Sequence, residues 1–149
     1  MLTPTERAIR EAGLRVTQPR LAVLNALDAI PHADTQTIIE AARKTLPGVS
    51  HQAVYNCLDA LTHSGLIRRI ELAGSPARYE LRPGDNHHHL VCRECGVVID
   101  VACSKGVAPC LTLTTEQTQG FEIEEAEVVY RGLCPECATT PSPHRRQLP

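Results

Sequence analysis

Two Cys-x2-Cys pairs limit what this chain can fold into more than any other feature. Cys92-Arg-Glu-Cys95 and Cys134-Pro-Glu-Cys137 are separated by 38 residues, and four thiolates suit the tetrahedral preference of structural zinc. A two-residue spacer lets both sulfurs of a pair face one ion while neighbouring backbone N–H groups turn towards them. Gly96, directly after the first pair, suits a tight turn. Four sulfurs close the coordination shell and leave no position for a reacting water, so the Zn2+ reads as structural. A zinc hydrolase would need an open metal position beside a general base; histidines could offer one, but no substrate cleft is readable, and no enzyme is expected. A pair of redox dithiols is the competing reading. Against it, the region around the cysteines has no thioredoxin-like βαβ pattern.

A length of 149 residues suits one domain or two small ones. A hydrophobic fraction of 42% with 9 Gly and 11 Pro describes a globular chain. With one Phe, three Tyr and no Trp, its core has to be aliphatic. No apolar run approaches the ~20 residues that span a bilayer. The first residues lack the basic start and apolar stretch of a signal peptide. Seven cysteines without a secretory signal favour metal ligation or redox work over a disulfide framework. A cytoplasmic protein with no membrane partner is expected. The net charge of −2 hides an asymmetry: residues 1–83 hold ten Lys/Arg and eight Asp/Glu, whereas 84–149 hold five and nine. A mildly basic first part with an acidic second part suits a DNA-binding module joined to a sensor.

Four helical patterns fill the first 65 residues. Thr3-Pro4 opens one over roughly 3–12, closed by Gly13. Thr17 caps a second with an apolar stripe from Leu21 to Ile30, stopped by Pro31. A third opens at Asp34 or Thr35 and ends before Pro47-Gly48, and Ser50 caps a fourth that Gly65 closes. Segments 66–72 and 77–81 then read as strands around a hairpin loop at 73–76. Short helices followed by a two-stranded hairpin make a winged helix over residues 1–82. Residues 83–86 read as a hinge, 87–138 as a small αβ metal-binding domain, and 139–149 as a disordered tail. The fold class is α+β. In the second domain, strands are expected at 90–92, 97–101 and 122–130, with a helix over 107–118.

The fourth helix sits where a recognition helix belongs. His51, Gln52, Tyr55 and Asn56 are its early polar positions, and the N-terminal residues of such a helix reach base edges. Gln and Asn can pair with adenine through two hydrogen bonds. Arg15, Arg20, Arg68 and Arg69 are candidates for phosphate or minor-groove contacts, which position without reading sequence. The alternative is an ordinary amphipathic helix with a solvated polar face. Cys57, on the same helix, reads as a small core residue.

Asn86-His-His-His-Leu-Val-Cys92 places three imidazoles at the junction of the domains. In an extended segment His87 and His89 share a face and His88 points away. His32, before the third helix, and Glu80, ending the wing, can complete a nitrogen and oxygen site suited to Fe(II), Mn(II), Ni(II) or Zn(II). A non-specific surface cluster is the bland alternative. Cys103 and Cys110 can form a disulfide, bind a softer metal or be buried.

Taken in order, Gly13-Leu-Arg-Val-Thr-Gln-Pro-Arg20, His32, the run from Ala53 to Ile67, Arg78-Tyr-Glu80, the run from His87 to Gly96 and the second cysteine pair resemble the ferric uptake regulator family over roughly 10–137. The resemblance implies a homodimeric repressor that closes on palindromic, AT-rich double-stranded DNA when a regulatory metal is bound. The second domain would then serve dimerisation. It places His32, Glu80, His87 and His89 on the regulatory site, the four paired cysteines on the zinc site, and Arg15 and Tyr55 on DNA contacts. Asn86-His-His-His, with Cys103 and Ala-Pro-Cys110-Leu, is similar to the actinobacterial branch that represses catalase-peroxidase genes and responds to peroxide. There Fe2+, or Mn2+ in its place, would be the regulatory ion, and Cys103 with Cys110 a candidate redox pair. Two departures stand out. Asn56-Cys57 replaces the Arg-Thr of many members, and Val107 and Ala126 stand where several iron regulators carry auxiliary ligands. His88 and Asp100 remain weaker metal candidates, with Asp100 alternatively joining the regulatory site. A family member sensing zinc, nickel or manganese is one alternative, and a metal-independent thiol–disulfide switch is another.

Overall fold

Each of the first four helices begins on the side chain its sequence marks as a cap. The computed structural model describes residues 1–72, 74–81, 87–102, 113–123 and 128–140, the side chains of His87 and Ala102 excepted. Helix α1 (Pro4–Glu11) opens with a capping box: Thr3 Oγ1 accepts from the Glu6 N–H, and the Glu6 carboxylate accepts from the Thr3 N–H at 2.7 Å. Thr17 caps α2 (Gln18–Ala29), Asp34 caps α3 (Thr35–Thr45), and Ser50 caps α4 (His51–His63). Each cap satisfies an N–H that the first turn leaves without an intrahelical acceptor, for about 1 kcal/mol. Gly13 and Gly65 follow α1 and α4 at φ 77° and 79°, a conformation open to glycine at little cost.

The apolar stripes of these helices meet in one aliphatic core. Ile9, Val23, Leu27, Ile38, Val54 and Leu58 are each at most 1% exposed. Truncating one such Leu or Ile to Ala costs ~2–5 kcal/mol, because the cavity closes only in part.

The wing hairpin consists of β2 (Ile67–Ile70) and β3 (Arg78–Leu81), both shorter than their predicted spans. A third strand, unforeseen, joins them: β1 (Ala33–Asp34) pairs antiparallel with β3, giving the order β1-β3-β2. Two residues have no periodicity to read; β1 exists because β3 offers Ala33 and Asp34 its free edge.

The chain divides into two compact units, Met1–Gly84 and Asp85–Pro149. The division falls within 83–86, and the predicted hinge itself lies outside the described residues. In the second unit, β4 (His87–Cys92) lies between β5 (Val98–Ala102), antiparallel to it, and β6 (Val129–Gly132), parallel to it. The third strand therefore lies later than expected: Glu122 and Ile123 are not extended ladder residues, and 124–127 are outside the description. Pairing decides this, because β6 takes its register from β4, with Gly132 opposite Cys92. Of the expected 107–118 helix, α5 (Thr115–Thr118) is what the described residues contain, and Thr114 forms a capping box with Gln117. A short α6 (Pro135–Thr139), not expected from the sequence, starts inside the second cysteine pair, contains Cys137 and takes in the first residue of the expected tail. No described helix is long and apolar enough to cross a membrane.

Candidate metal centres and candidate recognition helix

The four paired cysteines converge. Cys92 ends β4, and a tight turn through Gly96 (φ 75°), whose N–H donates to the Cys92 carbonyl at 2.9 Å, brings Cys95 back beside it. Cys134 is the N-cap of α6, its sulfur accepting from the Cys137 N–H at 3.5 Å. All four sulfurs lie within 4.8 Å of one another, and Cys95 Sγ and Cys134 Sγ are 3.8 Å apart. Sulfurs bound at ~2.3 Å to a tetrahedral ion are ~3.8 Å apart, so the spacing fits zinc with little adjustment.

The electrostatics agree. The N–H groups of Cys95 and Cys134 stabilise the Cys92 thiolate and lower its pKa to about 6. The Cys134 sulfur, followed by burial, pushes the Cys137 thiol up to about 12. The Cys92 thiolate forms readily, whereas the Cys95 and Cys137 thiols resist. A divalent cation at the centre removes that resistance, which is how metal binding expels thiol protons.

The first unit holds an imidazole and a carboxylate in contact. His32, immediately before β1, adopts φ 62°, unusual for a residue with a Cβ. Its carbonyl accepts from Arg78 Nη1 at 3.3 Å. Glu80 in β3 is 4% exposed, and its Oε2 is 3.2 Å from His32 Nε2. The other carboxylate oxygen lies 3.6 Å from Arg68 Nη1, and Arg68 is the cross-strand partner of Glu80. The hairpin register turns Arg68, a candidate for phosphate or minor-groove contacts, towards Glu80. No residue pattern signals that pairing before the register is known.

The second unit holds a similar pair. His89 is wholly buried, and its Nε2 lies 3.5 Å from Asp100 Oδ1, directly across β4 and β5. Asp100 thus faces His89 and not His88, which separates the two weaker candidates. His88 stands opposite Val101 and meets the Tyr130 ring edge-on, with centroids 6.4 Å apart. The His87 side chain lies outside the described residues, as do Cys103 and Cys110. Cys57 is 7% exposed, its thiol pushed up by burial, as suits a core residue.

Helix α4 buries Val54, Cys57, Leu58 and Leu61 and leaves His51, Gln52, Tyr55 and Asn56 exposed. Gln52 Nε2 donates to Asn56 Oδ1 at 2.9 Å, so the two amides one turn apart are mutually oriented. Arg15 is exposed, and Arg20 is half-buried with its Nη1 donating to the Arg15 carbonyl.

Comparison with known proteins places this arrangement. Residues 11–131 match the ferric uptake regulator family. The transcriptional regulator FurA of Mycobacterium tuberculosis is 60% identical over 130 residues, 87% of each chain. The peroxide-responsive repressor PerR of Staphylococcus aureus is more distant, at 26% over 87% of this chain and 86% of its own. The structure of the Pseudomonas aeruginosa ferric uptake regulator with manganese superposes with a TM-score of 0.69 at 27% identity, covering 89% of this chain and 99% of that one.

Proposed function

The chain belongs to the ferric uptake regulator family and is a metal-responsive transcriptional regulator, and we propose that it is a homodimeric repressor released from DNA by peroxide. One observation carries this reading. Each unit holds an imidazole facing a carboxylate: the half-buried His32 with Glu80 in the first, and the wholly buried His89 with Asp100 in the second. The regulatory site is proposed to consist of His32, Glu80, His87 and His89, with Asp100 beside them. Imidazole and carboxylate suit Fe(II) or Mn(II). When bound, the ion would supply a divalent charge and favour whichever arrangement of the units it binds more tightly. Cys92, Cys95, Cys134 and Cys137 are proposed to hold the structural zinc.

The dimer is proposed to form through the second unit. Leu90, Ile99 and Tyr130 are cross-strand neighbours on one face of its sheet and are 44%, 50% and 53% exposed. An apolar row of this kind is buried at little cost by an identical row. Two copies of α4 would then enter successive major grooves, about 34 Å apart, of a palindromic, AT-rich operator. His51, Gln52, Tyr55 and Asn56 would meet base edges, and Arg15 and Arg20 the backbone.

Peroxide sensing is supported by the likeness to PerR and by imidazoles held where bound ferrous iron would supply electrons to peroxide. The test is binding of the zinc-loaded protein to duplex DNA from upstream of its own gene. Manganese should confer tight binding, and a chelator of the weaker site should abolish it. Ferrous protein treated with peroxide should lose binding and gain mass at His32 or His89. DNA affinity indifferent to metal would refute the proposal.

A further inference from the structure

Within the first unit, Glu80 is shared between two basic side chains. One oxygen faces His32 at 3.2 Å and the other faces Arg68 at 3.6 Å. The side chains of Arg68 and Glu80 are 14% and 6% exposed, so water screens the pair poorly. The next residue along β2 shows the contrast. Arg69 pairs with Glu71 at 2.6 Å, but both are open to solvent, at 48% and 73%, where an ion pair contributes little. Strand pairing dictates the Arg68 contact, since Arg68 and Glu80 are opposed in the β2–β3 register.

A guanidinium cannot shed its charge in a protein. An imidazole facing an incoming cation can serve as a ligand in its neutral form; Arg68 keeps its positive charge and repels the ion. Before metal arrives, the same charge offsets the cost of burying the Glu80 carboxylate.

We propose that Arg68 is a resident counter-cation for Glu80 whose charge holds down the affinity of the regulatory site. Arg68 is a positioning residue here, not a ligand. Its charge sets the metal concentration at which the site fills. The inference rests on the reading that His32 and Glu80 serve that site.

The test is Mn(II) affinity of the full-length, zinc-loaded protein at about pH 8, from the electron paramagnetic resonance signal of free Mn(II). Arg68→Gln and Arg68→Thr, two neutral replacements of different size, should each bind Mn(II) on the order of ten-fold more tightly, because a like charge has been removed from a poorly screened site. Arg68→Lys keeps the charge and should stay within about two-fold of wild type. A strut without an electrostatic role predicts the opposite pattern: lysine would fail with the others, and none would tighten. Glu80→Ala separates the two levels of the argument. If it abolishes the weaker Mn(II) site while the neutral Arg68 variants match wild type or bind more weakly, the role of Arg68 is refuted and the site stands. If Glu80→Ala leaves Mn(II) binding intact, the site itself is misplaced and this inference falls with it.

Discussion

Arg78 donates from Nη1 to the main-chain carbonyl of His32 at 3.3 Å, across 46 residues of sequence. It thereby ties strand β3 to a residue whose φ of 62° lies in the left-handed region. A histidine held there costs about 1–3 kcal/mol that its surroundings must offset. The β1–β3 ladder, with Asp34 opposite Arg78, and the Arg78 hydrogen bond supply that restraint. Arg78→Met should therefore lower stability by about 1 kcal/mol and weaken Mn(II) binding several-fold through a looser His32. Denaturant unfolding with metal titration checks both; unaltered metal affinity would show that His32 needs no such tether.

If one ion joins the two units, His32 and His89 act as one. His32→Ala and His89→Ala should each remove most of the metal dependence of operator binding, and the double variant should lose little more than either. Independent sites would instead give losses that add. DNA-binding titrations with and without manganese decide between them.

Cys92→Ser should release zinc and lower thermal stability, since the binding energy of a structural site is folding energy. The effect should be confined to the second unit, because the core of the first contains none of the four cysteines. Zinc analysis and calorimetry test this. A variant retaining a full complement of zinc would rule out the four-sulfur site.

Leu90→Lys places a charge at the centre of the exposed row on the sheet of the second unit. The variant should sediment as a monomer while keeping its zinc, since Leu90 contributes no sulfur. An unchanged dimer would locate the interface elsewhere.

The cap of α3 gives a pH dependence. Hydrogen bonds from the Thr37 N–H, then from its side chain, hold the Asp34 carboxyl below its usual pKa. A depressed folded-state pKa contributes stability that is fully present above the unfolded value of ~3.9 and lost as pH falls through the folded one. Asp34→Asn keeps the acceptor without the titration. The stability difference between wild type and this variant, about 0.3–1 kcal/mol at neutral pH from the charge at the helix N-terminus, should shrink in that acid window. A difference constant down to the acid limit would discount the charge.

The start of every helix in the first unit was legible because capping is local. Thr3, Thr17, Asp34 and Ser50 bond N–H groups three residues ahead, and nothing distant competes. The cysteine pairs were legible for a chemical reason: four soft sulfurs at that spacing have few other uses. Strand ends in the second unit were less so. The predicted third strand began before Val129 because apolar alternation cannot say which residues find a partner.

By itself, then, the chain dictated what depends on neighbours in sequence: the helix starts of the first unit, the aliphatic character of its core and the chemistry of the ligand types. Tertiary structure alone decided which charges oppose one another. It set Arg68 against Glu80, Asp100 against His89, and a two-residue strand at Ala33 and Asp34 along β3. The reason is register. A shift of one residue moves every side chain of a strand to the other face, and which register wins is settled by contacts from far along the chain.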